Sequence, residues 1–493
     1  MIRNLLDEVA ADGPDRLAVI DGDVSLTYSE LVRRSVLLAE DLRERLHADE
    51  GEIVAISLPN CWQYPAAFLA AARLGAVLMP FNPQWRANEI GWFVRRLGIR
   101  TVITNKELRS VWSEVEGGPP EDRILTIDGA KMHRLWDQPG GARAFRSGGV
   151  YETQPALYLA TSGSTGRPKV VPRSHANLLA GRSAVAEALG IRPGHRFLSV
   201  IPFHHANGFA NCMFLPLASG ATIVVLRKAL PAALAARVKR EQARIVIGSP
   251  FLYSLLADHV PQPEDLSSVE LYISSGAPLP DGLAALWRER FGRGIRQLYG
   301  SSETGTISIE EAGGPAIRGG AGRVLRTVSV RIVDHDGTPL PPGRSGEISV
   351  RSPAMMAGYV GEPELNRQVL DGGYFRMGDI GRLTADGVLV IEGRSKRWVN
   401  SGGVKVDPAE VERVLLELPS VRQCRVQPGR DARGLEVLTS MIAVHSGHAC
   451  SRRDIVEHCR KHLAEYKIPR VIEFVEAVPP DLTGKAPMEW LTK

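Results

Sequence analysis

Short apolar segments alternate with longer amphipathic ones through the first half of the chain. Of all the features of this sequence, this alternation restricts the possible folds most strongly. Residues 51–58 form an apolar run, and residues 63–74 then show a helical spacing of apolar side chains that ends at Gly75. Residues 77–80 and 244–247 are further short apolar runs. The pattern predicts an α/β fold in which crossover helices join parallel strands.

Beyond about residue 329 the pattern changes to consecutive strands. Residues 329–333 and 347–350 alternate apolar and polar side chains, with Gly and Pro turns between them, which is typical of antiparallel strands. Further on, Pro408 and Ser451 each mark the start of a helical segment.

These changes divide the chain into two domains. We predict a large N-terminal domain over residues 1–394, built from two parallel-type αβ subdomains and a β-rich subdomain at about 323–394. A small α+β C-terminal domain would follow over residues 397–493, with a polar hinge near residue 396.

Composition narrows the class of protein. Of 493 residues, 44% are hydrophobic and 23% are charged, which excludes a disordered or collagen-like chain. The net charge of +5 is too small to indicate a nucleic-acid partner. No apolar run reaches the roughly 18 residues of a membrane span, and no signal-peptide core is present. Five cysteines without a Cys-x-x-Cys pair argue against disulfides and zinc, so we expect a soluble, cytoplasmic enzyme.

The strongest local feature is a loop rich in glycine and hydroxyl side chains. Its candidate ligand-binding members are Thr161, Ser162, Gly163, Ser164, Thr165, Gly166 and Lys169. Inward-facing backbone N–H groups, hydroxyl donors and the Lys169 charge together suit a polyphosphate. The loop is not a P-loop kinase motif, because Pro168 precedes the lysine and Val170 follows it. A polar hairpin without a ligand is the alternative.

A second loop places a carboxylate beside hydroxyl groups. Tyr299, Gly300, Ser302 and Glu303 follow a short apolar run. A carboxylate in such a loop suits a hydrated Mg²⁺ held against phosphates, and Tyr299 could stack on a nucleobase. A buried tyrosine beside a solvated glutamate is the alternative.

Three further segments carry candidate polar groups. Asp379 lies between two glycines in the sequence and could accept from both hydroxyls of a ribose, with Arg394 as an added donor. A turn cap and a solvated cation are the alternatives for these two residues. His204 and His205 in an apolar loop could gate a pocket, and adjacent histidines rarely share one metal ion. Lys485, near the end of the chain, would by itself be read as a solvated lysine.

In this order and spacing, these segments resemble the adenylate-forming superfamily of acyl-CoA synthetases, carrier-protein adenylation domains and luciferases. The resemblance extends from about residue 26 to Lys485. The superfamily makes an acyl-AMP from a carboxylic acid and ATP, releases pyrophosphate, and passes the acyl group to a thiol.

The resemblance implies a role for each segment around ATP. The loop from Thr161 to Lys169 would hold the β- and γ-phosphates, Glu303 would ligate Mg²⁺, and Ser302 would touch the α-phosphate. The remaining nucleotide-binding candidates are Ser275, Gly276, Ala277 and Tyr299 around adenine, Gly300 beside them, and Asp379 and Arg394 at the ribose.

The resemblance also implies that the C-terminal domain is a mobile lid. It would bring Lys485 to the carboxylate and α-phosphate first, and the Gly402–Gly403 loop second, with Lys396 at the hinge. Gly403 would leave room for the pantetheine arm of CoA. His205 would lie at the acyl pocket and move aside for the incoming thiol.

Several positions depart from the usual superfamily pattern. Val170 stands where many members have Gly, and Met377 replaces a Ser or Thr. Ser302 replaces the commoner Thr but keeps the hydroxyl, and Ala486 is unusual after the catalytic-type lysine. Residues 170–175 resemble a variant associated with some aryl-acid-activating members. None of these changes removes a required functional group.

The sequence therefore predicts an ATP-dependent acyl-CoA ligase that uses ATP, Mg²⁺ and CoA. Small residues such as Ala206, Gly208 and Gly276 suggest room for an aromatic or bulky small carboxylic acid. Asn207 could bind a polar substituent or cap its own loop.

Two alternatives remain open from the sequence. One is an adenylating enzyme that loads a separate carrier protein, and the other is a nucleotide-binding homologue without catalysis. A luciferase-like oxygenase is a distant third. A monomer and a homodimer are both compatible with the sequence.

Overall fold

The computed structural model describes residues 1–128, 151–161, 168–260, 262–311, 319–394, 399–431, 433–445, 449–478 and 488–489. The candidate residues that lie outside the described residues are Ser162, Gly163, Ser164, Thr165, Gly166 and Lys485. The expected hinge near residue 396 also lies outside them, and Arg394 is described by its backbone alone.

The first αβ subdomain is a six-stranded sheet with the order β6-β5-β3-β4-β7-β8, parallel except for the β7–β8 pair. Its strands and those that precede it are β1 (Leu17–Asp21), β2 (Val24–Thr27), β3 (Ile53–Ser57), β4 (Val77–Pro80), β5 (Thr101–Thr104), β6 (Ile124–Thr126), β7 (Pro155–Thr161) and β8 (Lys169–Ser174). The helices here are α1 (Ile2–Asp12), α2 (Tyr28–Leu46), α3 (Gln63–Leu74), α4 (Ala87–Leu97) and α5 (Lys106–Ser113), with a 3₁₀ turn at Glu121–Arg123. The predicted helix over 63–74 and strand over 77–80 are confirmed.

The second αβ subdomain continues the parallel pattern. Its strands are β9 (Arg196–Ser199), β10 (Thr222–Val225), β11 (Ile245–Gly248), β12 (Leu271–Ser275) and β13 (Ile295–Ser301). Its helices are α6 (His175–Leu189), α7 (Leu215–Ala218), α8 (Pro231–Glu241), α9 (Pro250–His259) and α10 (Asp281–Phe291), with a 3₁₀ turn at Pro263–Leu266. These strands pair in parallel, and β10 also pairs in parallel with β1.

The β-rich segment is antiparallel, as predicted, but it does not form a sheet of its own. Its elements are β14 (Gly305–Ile309), β15 (Gly320–Val324), β16 (Ser329–Val333), β17 (Gly346–Arg351), α11 (Pro363–Val369), β18 (Leu370–Asp371), β19 (Tyr374–Leu383) and β20 (Val388–Arg394). β14 pairs with β13 on one side and β15 on the other, so one 14-stranded sheet runs from the parallel strands into the antiparallel ones. The antiparallel part thus begins at β14, before the expected boundary at about 323.

The C-terminal domain is α+β, as predicted, and has its own hydrophobic core. Its elements are β21 (Val399–Ser401), β22 (Val404–Val406), α12 (Pro408–Leu416), β23 (Val421–Arg430), β24 (Glu436–Val444), α13 (Arg452–His462), a 3₁₀ turn at Glu465–Lys467, β25 (Val471–Phe474) and β26 (Met488–Glu489). Within the described residues, no helix is long and apolar enough to cross a membrane.

Local sequence signals explain several of the helix ends. Ser249 caps α9 through a hydrogen bond from Leu252 N to its hydroxyl, and Pro250 occupies the first helical turn. Gly75 ends α3 in the left-handed conformation with φ 76°. Asp281 is the first residue of α10, and Pro280 is its N-cap.

Candidate active site

Strands from both αβ subdomains end at one cavity of about 510 Å³. β7 ends at Thr161, β12 at Ser275 and β13 at Ser301, and all three residues line the cavity. Gly403 and Lys467 line it from the C-terminal domain. Ligands of α/β folds bind beyond the carboxyl ends of the strands, so this cavity is the candidate active site.

Thr161 and Lys169 lie opposite each other on the antiparallel β7–β8 pair, so the predicted anion loop is the turn of a hairpin. Lys169 is buried, and its ammonium lies 5.1 Å from the centroid of the Tyr359 ring. The negative face of the ring stabilises this cation. Lys169 therefore brings a positive charge to the wall of the cavity.

Glu303 lines the cavity and is oriented by a tyrosine that the sequence did not single out. The Tyr359 hydroxyl donates to Glu303 Oε1 over 2.8 Å. Burial, followed by the nearby Glu303 carboxylate, raises the pKa of Tyr359, so the phenol stays protonated and can donate. Oε2 of Glu303 accepts no hydrogen bond from the described residues. A carboxylate with one oxygen held and one available fits a hard cation such as Mg²⁺.

Asp379 and Tyr299, predicted to touch different parts of a nucleotide, contact each other. The Tyr299 hydroxyl donates to Asp379 Oδ2 over 2.6 Å. Asp379 is 5% exposed and lines the cavity, and Arg394 lies opposite it on β20. A carboxylate only accepts hydrogen bonds, so the chemistry of Asp379 suits hydroxyl groups as donors.

The adenine candidates divide into two groups. Ser275, Gly276 and Gly300 line the cavity. Ala277 instead lines a smaller neighbouring cavity, together with Gly402. Tyr299 is not among the described lining residues of the larger cavity, but its hydroxyl donates to Asp379, which is one of them.

His204 and His205 line the cavity side by side, with ring centroids 4.3 Å apart. Burial lowers the pKa of His205 to about 4, and it lowers that of His204 as well. Both rings are therefore neutral at pH 7. Two neutral imidazoles leave this part of the cavity without charge, which suits an apolar acyl group.

A tight turn after His205 shapes the same wall. A Cβ added to Gly208 would lie 2.0 Å from the carbonyl oxygen of Pro202, so only glycine fits. The chain then enters a π-helix over Gly208–Phe214. π-Helical turns are rare and are often found at functional sites.

The side chain of Asn207 joins two elements of the wall. Its Nδ2 donates to Ser275 Oγ over 2.6 Å, and its Oδ1 accepts from Asn211 Nδ2 over 2.9 Å. All three side chains line the cavity. No bond from Asn207 to its own loop is found among the described residues, so the loop-capping alternative is not what the structure contains.

Gly276 and Gly403 face each other across the two domains. A Cβ added to Gly276 would lie 3.4 Å from the Gly403 carbonyl oxygen, and both glycines have positive φ, 86° and 97°. Asn400 fixes this contact, because its Nδ2 donates to Gly276 O and its Oδ1 accepts from Gly403 N over 2.8 Å. The predicted lid loop therefore lies against the cavity.

No motif in the sequence points to several residues of this wall. Trp85, Glu89, Tyr359, Tyr466 and Lys467 all line the cavity. Tyr359 lies 56 residues from its partner Glu303, and Tyr466 lies 381 residues from its partner Trp85. Only the fold brings such pairs together. The assembled site can bind a polyanion at Lys169, a divalent cation at Glu303 and a hydroxylated ring at Asp379.

The chain matches known proteins over almost its full length. The family model described as AMP-binding enzyme matches residues 6–360, and the one described as AMP-binding enzyme C-terminal domain matches residues 410–485. A feruloyl-CoA synthase of Amycolatopsis sp is 31% identical over 475 residues, which cover 96% of this chain and 94% of that protein. A medium-chain fatty-acid–CoA ligase of Escherichia coli (strain K12) is 30% identical and covers 96% and 86%, respectively.

The chain is also similar to solved structures over almost its full length. The amide bond synthetase McbA from Marinactinospora thermotolerans superposes with a TM-score of 0.88 at 29% identity, and the match covers 98% of this chain and 97% of that one.

Proposed function

Because the chain belongs to the family of AMP-binding enzymes and is an ATP-dependent acyl-CoA ligase, we propose that it activates an aromatic or otherwise bulky acid. The product of activation would be an acyl-AMP, and CoA would then accept the acyl group. The observation that carries the proposal is the convergence of Lys169, Glu303 and Asp379 on one cavity. Their charges suit the phosphates, the metal ion and the ribose of one ATP molecule.

The first half-reaction joins two anions. An oxygen of the acid attacks the α-phosphorus of ATP, the bond to the β-phosphate breaks, and pyrophosphate leaves with the bonding electrons. The site must lower the repulsion and hold the reactants in line. Lys169 would bind the β- and γ-phosphates, the Ser302 hydroxyl would donate to the α-phosphate, and Lys485 would stabilise the charge that develops between acid and phosphate.

A magnesium ion fits the oxygen donors of this site. Glu303 would hold it, because Oε1 is fixed by Tyr359 and Oε2 accepts no hydrogen bond from the described residues. The ion would neutralise charge on the leaving pyrophosphate.

The second half-reaction transfers the acyl group to sulfur. The CoA thiol gives up its proton, the sulfur attacks the acyl carbon, and AMP leaves as the thioester forms. The contact of Gly403 with Gly276 supports an approach beside the lid loop, because neither glycine has a side chain to block it. The lid would rotate between the half-reactions and bring Lys485 and Gly403 to the site in turn.

The lining of the cavity supports the class of acid. Leu178, Phe209 and Ala206 provide apolar surface, and Ala206 is small enough to leave room for a ring. The Asn211–Asn207–Ser275 chain adds hydrogen-bonding groups to this surface. The Oδ1 of Asn211 accepts no bond from the described residues and can accept one from a substituent hydroxyl. An aromatic acid with a hydroxyl group fits both features.

The test is to detect products by mass spectrometry with ATP, Mg²⁺ and a panel of aryl, alicyclic and aliphatic acids. Each acid is incubated alone, with CoA and with a carrier protein that bears pantetheine. The proposal predicts an acyl-CoA from an aryl acid. An acyl-AMP that accumulates with CoA and is consumed only by the carrier protein would contradict it.

An amine is a second candidate acceptor, because the chain superposes closely on an amide bond synthetase. An amine would attack the same acyl carbon, lose a proton and displace AMP, giving an amide. Adding a set of primary amines to the same assay distinguishes this outcome. An amide that forms faster than the thioester would favour the second candidate.

A further inference from the structure

Arg173 is a buried cation at the candidate active site, and none of the roles assigned above explains it. It lies on β8, four residues after Lys169, and its residue is 5% exposed. It lines the cavity together with Ser302, Glu303 and Gly305. An arginine is rarely buried unless it is paired with an anion or carries out a function.

The hydrogen bonds of Arg173 leave most of its donors unused. Nη1 donates to the carbonyl oxygen of Ser302 over 2.8 Å. Nε is fully buried and has no acceptor in the described part of the chain. No carboxylate among the described residues forms an ion pair with the guanidinium. Glu303 affects its charge electrostatically but forms no hydrogen bond with it. A guanidinium has five N–H donors, so this side chain is incompletely satisfied.

The guanidinium lies directly against the loop that carries Ser302 and Glu303. Besides the bond to Ser302 O, its Nη2 would be 3.3 Å from a Cβ added to Gly305. Glycine at position 305 therefore gives the cation access to this side of the loop. Burial lowers the pKa of Arg173 to about 10, which still leaves it charged at pH 7.

A buried positive charge without a direct ion pair is unfavourable, and a bound anion would relieve the cost. The closest substrate anion in the proposed function is the α-phosphate, because Ser302 is the residue expected to touch it. Lys169 is assigned to the β- and γ-phosphates and Lys485 to the bond that forms. No other described cation is assigned to the α-phosphate itself.

We propose that Arg173 binds the α-phosphate of the nucleotide, and the proposal rests on the function proposed above. Through Ser302 O it also fixes the loop from which Ser302 reaches the same phosphate. Arg173 thereby supplies positive charge at the phosphorus that is attacked in adenylation. The charge remains in contact with the phosphate of the acyl-AMP and of the AMP product.

The first test measures nucleotide binding without any acid. The full chain and its Arg173→Met and Arg173→Lys variants are titrated calorimetrically with AMP and with adenosine. Only AMP carries the α-phosphate, so Arg173→Met should weaken AMP binding about tenfold and leave adenosine binding unchanged. Arg173→Lys should recover part of the AMP affinity, because it keeps the charge and loses the planar fork.

Arg237→Met is the matched control. Arg237 is also a buried arginine whose Nε has no partner in the described part of the chain, but it lies on α8, outside the described lining of the cavity. Arg237→Met should leave the ratio of the AMP affinity to the adenosine affinity unchanged. An equal ratio in wild type, Arg173→Met and Arg237→Met would overturn the proposal and leave Arg173 a structural residue.

The second test measures rates and separates this inference from the proposed function. In acid-dependent pyrophosphate exchange, Arg173→Met should lower kcat about 100-fold with little change in the KM for the acid. An intact kcat with a raised KM for the acid would overturn the proposal, because it would place Arg173 at the acyl group. If the wild type forms no acyl-AMP from any acid, the proposed function fails, and the AMP-to-adenosine ratio still decides whether Arg173 binds the phosphate.

Discussion

The ammonium of Lys467 lies 2.7 Å from Oε1 of Glu89, and this contact joins the two domains of the chain. Lys467 also donates to Glu410 Oε1 over 2.8 Å within its own domain. All three side chains are less than one-fifth exposed. Beside them, Trp85 Nε1 donates to the Tyr466 hydroxyl over 3.1 Å. The buried pair therefore holds the lid in the orientation that places Gly403 at the cavity.

Loss of one partner of this buried pair should slow the second half-reaction selectively. Glu89→Gln removes the negative charge of the large domain and leaves Lys467 paired with Glu410 alone. The loss of this charge from a buried contact would disfavour this lid orientation. We expect transfer from supplied acyl-AMP to CoA to slow about tenfold or more, and adenylation to stay within about twofold. Separate single-turnover assays of the two steps make the comparison.

The matched control is a second charge pair between the domains. Arg433 Nη1 lies 2.5 Å from Asp258 Oδ2, but these side chains are 51% and 37% exposed. Exposed pairs contribute little, so Arg433→Met should change neither step by more than about threefold. An equal loss in both steps for Glu89→Gln would contradict the assigned role.

Lys485→Ala should abolish adenylation and spare the second half-reaction. The lysine is expected to act only while acid and ATP react, so acyl-AMP formation should fall by about 100-fold or more. Transfer of the acyl group from supplied acyl-AMP to CoA should persist. Lys461→Ala, on the surface of the lid, serves as the control. Equal losses of both steps would show that Lys485 has a different role.

Asp379→Ala should weaken ATP binding. The carboxylate is the expected acceptor for the ribose hydroxyls, so its loss should raise the dissociation constant about tenfold or more. Tyr299→Phe removes only the hydroxyl that donates to Asp379 Oδ2. We expect it to raise the dissociation constant for ATP by a smaller factor. Isothermal titration with ATP tests both variants, and an unchanged affinity in Asp379→Ala would rule out the ribose contact.

Asn211→Leu should change the preference among acids more than the overall rate. It removes the Oδ1 acceptor and the bond to Asn207, while the side-chain volume changes little. We expect kcat/KM for a hydroxylated aryl acid to fall about tenfold relative to the unsubstituted acid. The ratio for the two acids is the readout, because a general folding defect would lower both. A constant ratio would leave Asn211 without a part in substrate selection.

His175 should make stability depend on pH below neutrality. The residue is 1% exposed, and burial lowers its pKa to about 4, compared with about 6.5 in the unfolded chain. The unfolded state therefore binds more protons between these two values, so stability is complete above about pH 6.5 and is lost as the pH falls toward 4. The contribution is at most about 3 kcal/mol.

The measurement is the thermal midpoint at a series of pH values for the wild type and His175→Gln. The variant should be less sensitive to pH between about 4 and 6.5. Parallel curves for the two proteins would show that another group causes the loss.

Local sequence signals carried much of the fold. The spacing of apolar residues and Gly75 were sufficient for α3, and Ser249 with Pro250 marked the start of α9. These features act within a few residues of each other, so the sequence alone contains them. The continuous 14-stranded sheet was not predicted, because the pairing of β13 with β14 and of β14 with β15 depends on contacts between strands and not on the pattern within each.

The sequence by itself determined the fold class and supplied most of the candidate groups of the proposed site. Lys169, Glu303, Asp379 and Gly403 are candidates from their motifs, and all four line one cavity. Their residue types and the short motifs around them are properties of the chain itself, so no tertiary information was needed to propose them.

Only the tertiary structure decided which partners complete these groups. Tyr359 orients Glu303, Arg173 contacts the loop of Ser302, and Lys467 reaches across the domains to Glu89. Each of these contacts joins residues that are distant in sequence, and none leaves a local pattern. A buried charge or phenol finds its partner through packing, because the cost of leaving it unpaired is set by its surroundings and not by its neighbours in the chain.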